Sequence, residues 1–167
     1  MNAQDYFVEL VRYQRWANRV LTTTIDSLPP EALARNEGLF FGSIHHTYDH
    51  LVQVQTLWAA RLRGEVCKAD FKRIHELDWG RLKAHAQASL ESFEAWLGAR
   101  PPAWFDDETA FTSSDGTARR MGNVAILTHM NGHWLHHRGQ ISAVLTRLGA
   151  AAPEMDYFYY RRELAAT

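Results

Sequence analysis

Apolar side chains recur at alternating steps of three and four through Phe7, Leu10, Ala17, Leu21 and Leu28, with Gln14 and Thr24 in the same register. That period predicts a helix from about Ala3 to Leu28. Asn2 is suited to cap its start, and Pro29-Pro30 close it. A second seam, Thr47, Leu51, Val54 and Trp58, predicts a helix from Gly42-Ser43 to about Arg63, with Ser43 as cap and Gly64 as stop. A third runs through Leu82, Ala86, Leu90, Phe93 and Leu97 after the cap candidate Asp78, and ends before Gly98 and Pro101-Pro102. The longest seam is Ile126, Met130, His133, His137, Ile141, Val144 and Leu148, which predicts a helix from about Gly122 to Leu148 closed by Gly149.

Between the third and fourth helices the period changes. Thr109-Ala110-Phe111-Thr112 and Thr117-Ala118-Arg119 flank Ser113-Ser114-Asp115-Gly116, which predicts a small hairpin around an Asp-Gly turn. The aromatic run Tyr157-Phe158-Tyr159-Tyr160 near the C-terminus is expected to pack down on the rest of the chain. Four long helices joined by at least one long connection predict an all-α fold: a four-helix bundle with a long crossover and a small hairpin before the last helix. No repeat, linker or low-complexity tract divides residues 1–167, so one domain is expected.

Composition narrows the function classes. The formal net charge is −1 and lysines and arginines form no run longer than a pair, so neither nucleic acid nor an anionic membrane is an expected partner. Cys67 is the single cysteine, which rules out an internal disulfide. No leader-like or membrane-length apolar stretch is evident, and a cytoplasmic location is expected.

The nine histidines change the picture further, because seven of them fall in the two short segments 45–50 and 129–137. His133 and His137 are four apart, hence neighbours on one helical face, and both interrupt an apolar seam. A single inward histidine is usually a core residue bonded to a carbonyl, side chain or water. Two in register also suit chelation of one metal ion. His50 lies beside the seam of the second helix, so facing helices bring it to the same point. Three imidazole ligands leave at least one coordination position open, the pattern of a catalytic or ligand-exchanging site. His129, one turn from His133, extends the series and competes by spacing. His46 and His129 are better suited to the site's wall, and His45 and His136 are expected to point elsewhere. The Glu-x-x-His pairs of di-iron bundles are absent, as are zinc-finger spacing, His-Glu-x-x-His, and phosphate-binding glycine loops.

Phe41-Gly42-Ser43-Ile44 with Thr47 and His50-Leu51 resembles the second-helix signature of the DinB-like family, which includes the YfiT-type metalloproteins. Asn131-Gly132-His133-Trp134-Leu135-His136-His137-Arg138-Gly139-Gln140-Ile141 is similar to its fourth-helix signature, and Tyr13-Gln14-Arg15-Trp16-Ala17-Asn18 to its first. Gly149 and Pro153 through Asp156 resemble its closing turn. The resemblance spans nearly the whole chain. It implies a four-helix bundle, often dimeric, with a metal triad at His50, His133 and His137 holding nickel, zinc or another divalent ion. It also implies a small-molecule substrate and, by analogy with some relatives, transfer to or from a low-molecular-weight thiol such as bacillithiol or mycothiol.

A metal-dependent thiol S-transferase is therefore the preferred expectation, a metal-dependent hydrolase the second, and non-catalytic capture of a metal or small molecule the third. No catalytic residue is assigned; His129 or His46 is a candidate proton carrier. Arg138 is suited either to an anionic substrate group or to a carboxylate within the fold. Gly132 and Gly139, with Ala125 and Ala143, form a small-residue stripe that suggests close approach of another helix, within the chain or across a dimer. Trp16 and Trp58 are candidates for core or pocket wall. Cys67 is expected at a loop or helix end, and Asp156 with the aromatic tail over the pocket or a dimer seam.

Overall fold

The computed structural model describes residues 1–67, 69–113, 115–151 and 153–166. Its elements are α1 (Ala3–Ile25), α2 (Pro30–Ala34), α3 (Ile44–Leu62), α4 (Trp79–Gly98), a 3-10 turn (Pro102–Asp106), β1 (Glu108–Thr112), β2 (Ala118–Gly122), α5 (Asn123–Arg147) and α6 (Tyr157–Ala165). The four long helices form the bundle: α1 packs on α4 and α5, and α3 packs on the same two helices, so α1 and α3 stand diagonally opposed. The connections from α1 to α3 and from α4 to α5 therefore cross the bundle. The second carries the antiparallel hairpin, in register Glu108 with Gly122 through Thr112 with Ala118.

Local chemistry sets the helix starts where the sequence placed them. The side chains of Asn2, Ser43 and Asp78 accept from the backbone N–H groups of Asp5, His46 and Arg81 at 2.8, 3.1 and 2.7 Å, satisfying donors that a first helical turn leaves free. Gly64 ends α3 with φ of +75°, a conformation that glycine adopts without penalty. Helix α1 stops at Ile25, three residues short of expectation, because Pro29 disfavours helical geometry at Leu28. The proline pair also begins α2, with Pro30 in its first turn, where a missing N–H costs nothing. Gly116 of the hairpin turn has φ of +82°; Ser114 in that turn lies outside the described residues.

The core is wider than the predicted seams. Leu82, Ala86, Leu90, Phe93 and Leu97 are all buried as expected, but α1 also buries Val11, Tyr13, Trp16, Asn18 and Ile25. The C-terminal segment packs through Met155 and Tyr160, and Tyr13 meets Tyr157 and Tyr160 edge-on or tilted. Phe158 in the same run stays largely exposed. This segment covers α1 rather than the histidines: Trp16 donates its indole N–H to Glu163 at 2.8 Å.

Arg138 is buried and serves neither of the roles expected for it. Its guanidinium donates to Gln14 Oε1 at 2.6 Å and to the Tyr13 hydroxyl at 2.7 Å, and sits over the Tyr13 ring. The Tyr13 hydroxyl in turn donates to the Met155 carbonyl at 2.7 Å. The Gln14 amide N–H donates to Asn131 Oδ1. One cation thus ties α5, α1 and the C-terminal segment together. Among the described residues, nothing lies within 4 Å of a Cβ added at Gly132 or Gly139. Of the two alternatives for the small-residue stripe, close approach of another helix within the chain is not seen at these glycines among the described residues.

Removing Arg138 strands the Gln14 carbonyl and loosens the C-terminal segment. Arg138→Ala is expected to cost about 2–4 kcal/mol in urea unfolding. Arg12→Ala, which removes a half-exposed partner of Glu94, is expected to cost about 1 kcal/mol or less. Equal costs for the two would show that the buried network contributes little.

Candidate metal centre

Helices α3 and α5 run antiparallel, so His50 meets His137 while Trp58, two turns further along α3, meets His129. This brings His50, His133 and His137 together: each offers a ring nitrogen, and the three nitrogens lie within 4.8 Å of one another. No cysteine or carboxylate joins them among the described residues. His50 and His137 are buried and His133 is half-buried.

The donor set fits a divalent ion. The Nε2 atoms of His50 and His133 are 3.1 Å apart, close to the separation of roughly 3.3 Å that two nitrogens show in a tetrahedral site with bonds of 2.0–2.1 Å. Burial, reinforced by the neighbouring imidazoles, pushes His133 down to about 3 and His50 down to about 4. Burial lowers His137 as well, against the opposing effect of its bond to Gln140. All three rings are therefore neutral at pH 7, the form that binds metals. Two neutral acceptor lone pairs facing each other need a proton or a cation between them.

Gln140 orients one ligand. His137 Nδ1–H donates to Gln140 Oε1 at 2.8 Å, which leaves its Nε2 lone pair free to point inward. The Gln140 amide N–H donates to His136 Nε2 at 3.1 Å. His136 thus does not simply point elsewhere: positions 136 and 140 share a face, and it anchors the residue that fixes His137. The spacing in His136-His137-Arg138-Gly139-Gln140 was available in the sequence, but nothing in it distinguished Gln140 from an exposed glutamine.

Two aromatic side chains wall the site. Phe41 stacks on the His50 ring with centroids 4.1 Å apart, and also meets His46 and His137. Phe71 meets His50 edge-on at 5.0 Å. Phe71 belongs to the long connection between α3 and α4, which buried Asp49 holds down by accepting from the backbone N–H groups of His75 and Glu76. His45 adds a bond from Nε2–H to the Glu76 carbonyl at 2.7 Å, so it points away from the triad, as expected. Loop residues carry no periodic signal, which is why these two walls were not predictable.

The remaining candidates sort by position. His129 is exposed and lies against both His133 and Trp58. His46 is half-buried behind Phe41. Trp16 lies at the α6 contact and takes no part in the site. Cys67 lines a separate recess of about 240 Å³ with Asp49, Gln53, His75, Glu76 and His85.

A helical bundle with three converging neutral histidines between two of its helices defines the chain as a candidate metalloprotein. The family model described as "DinB family" matches residues 1–164, and the chain belongs to that family. It is 23% identical over 163 residues to "Protein DinB" of Bacillus subtilis (strain 168), covering 93% of this chain and 94% of that protein.

Tag-free protein loaded with nickel or zinc and desalted is expected to retain about one ion per chain. His50→Ala, His133→Ala or His137→Ala should each abolish that retention in elemental analysis, whereas His85→Ala should not. Gln140→Leu should weaken affinity by about 10–100-fold without abolishing it. Full retention in all three histidine variants would place the ion elsewhere.

Proposed function

We propose that the protein is a divalent-metal-dependent enzyme acting on small molecules, of the thiol S-transferase type. The observation that carries this reading is a triad of neutral histidines with no fourth protein ligand among the described residues, a donor set that leaves coordination positions for an exchanging ligand. When bound, a divalent ion, nickel or zinc by preference, lowers the pKa of a thiol or water held at the open position.

His50, His133 and His137 provide the holding atoms, and Gln140 fixes the orientation of His137. Phe41 and Phe71 cover the His50 ring and keep water from that side. The thiol sulfur forms the new bond to a small electrophile, the leaving group departs with the electron pair of the broken bond, and the thiol proton passes to solvent. The same open positions accept water, which makes hydrolysis the alternative reaction. Capture without turnover is the reading to adopt if neither occurs.

The proposal extends to a cytoplasmic homodimer that works apart from nucleic acid and membrane. A net charge of −1 supports the absence of polyanion partners, and no helix among the described residues is long and apolar enough to cross a membrane.

Metal-loaded protein supplied with a common cellular thiol and an aryl halide is expected to accelerate thioether formation. Chelation or His133→Ala should remove the acceleration. Absence of conjugation with glutathione, cysteine, bacillithiol and mycothiol alike would sink the thiol reading, and release of acid from ester or amide substrates under the same conditions would install hydrolysis instead.

A further inference from the structure

The recess that Cys67 borders lies between α3, α4 and the connection that joins them, and none of the three triad histidines lines it. Its volume is about 240 Å³. Asp49, Gln53 and Thr56 of α3 give it a polar side, and Val52, Ala69 and Leu82 an apolar one.

Each polar side chain that α3 contributes has its hydrogens engaged elsewhere. The Gln53 amide donates one N–H to Asp49 Oδ2 and the other to the Arg73 carbonyl at 3.4 Å. Both partners only accept, so the amide cannot be turned over. Gln53 Oε1 is thereby left buried without a partner, a state that costs free energy until a donor arrives. The Thr56 hydroxyl donates to the Val52 carbonyl at 2.9 Å and keeps its lone pairs. Asp49 accepts from Gln53 and from the N–H groups of His75 and Glu76. None of the ion pairs among the described residues includes Asp49, so its negative charge is stabilised by N–H dipoles and not neutralised. At the rim, His75 Nε2–H donates to the Asp70 carbonyl at 3.1 Å, which leaves Nδ1 an acceptor in the neutral ring.

An ammonium group has three donors, no acceptor and a positive charge. It meets the needs of both the orphaned oxygen and the unneutralised carboxylate, whereas an anion meets neither. A buried negative charge beside apolar walls also concentrates its field in the open space next to it. We propose that this recess binds a small primary ammonium ion carrying a short aliphatic chain. One N–H is directed to Gln53 Oε1 and a second to Thr56 Oγ1. Asp49 supplies the attraction, and the chain lies against Val52 and Leu82. The site uses no atom of the triad and is independent of the metal and thiol readings.

Isotope-labelled protein, metal-free and zinc-loaded, is titrated at neutral pH with three probes while its amide NMR signals are followed. Propylammonium carries charge, donors and a chain; tetramethylammonium carries charge without an N–H donor; 1-propanol carries chain and donor without charge. Propylammonium is expected to shift the signals of Gln53, His75 and Glu76 in a saturable way, with the same affinity in both forms of the protein. The other two probes should bind about tenfold or more weakly, the worth of one hydrogen bond to a charged group. Thr56→Val and Gln53→Leu, each checked for folding by circular dichroism, should weaken propylammonium by a similar factor; if Gln53→Leu fails to fold, Thr56→Val decides. Wild-type affinity in either folded variant overturns the proposal, as does equal binding of propylammonium and tetramethylammonium, or no saturable shift at all. Shifts that appear only in the zinc-loaded form place the amine at the triad and overturn it too.

Discussion

The packing of α3 on α5 is the constraint from which the candidate site follows. The two helices are antiparallel neighbours, and the positions that face each other include polar imidazoles where aliphatic side chains would be the ordinary choice. Burying those rings is tolerable only while they are neutral, and burial itself enforces neutrality at His50 and His133. The cost of holding nitrogens away from water is offset only if their lone pairs find a partner. Helix α3 is suited to the arrangement because α2, α4, α5 and β1 all pack on it, so that polar Asp49, Gln53 and Gln55 are buried on it along with His50.

Helix α5 has two functions on adjacent residues. Successive helical positions are about 100° apart, so His137 faces α3 while Arg138 faces α1. His136 anchors Gln140, Gln140 orients His137, and Arg138 ties the same helix to Gln14, Tyr13 and the C-terminal segment. The run from His136 to Gln140 is therefore a local mechanical unit. One side of it fixes the rotation of α5 within the bundle, and the other spends that fixed rotation on aiming an imidazole.

Much of this was legible in the chain. The cap residues Asn2, Ser43 and Asp78 and the long seams placed the four bundle helices within a few residues, because capping and period are local properties. His133 and His137 were legible from helical spacing and His50 from its place beside the facing seam, while spacing left His129 in competition and the family resemblance pointed to the three that converge. The short helix α2, the 3-10 turn and α6 were not, as each is too brief to show a period. Phe41 and Phe71 escaped because irregular backbone, fixed by Ser43, Asp49 and their partners, decides where they point. Arg138 was misjudged because a buried cation satisfied by neutral oxygens and an aromatic face has no sequence mark that separates it from an ion-paired one.

The triad's charge also bears on what it receives. Three neutral imidazoles leave the full double charge of a divalent ion uncompensated, whereas a carboxylate in the set would cancel part of it. The nearest acidic side chain in sequence, Asp49, is turned to the other face of α3, where its charge is absorbed by the backbone N–H groups of His75 and Glu76. Buried Arg138 adds positive potential on the opposite flank of the same helix. With the local dielectric lowered by Phe41 and Phe71, an incoming ligand that arrives or becomes anionic gains more than a neutral one. A thiolate meets that requirement more readily near neutral pH than hydroxide does, because a thiol begins with the lower pKa. The absence of negative charge from the triad, as much as its geometry, therefore favours an anionic ligand and supports the thiol reading proposed above.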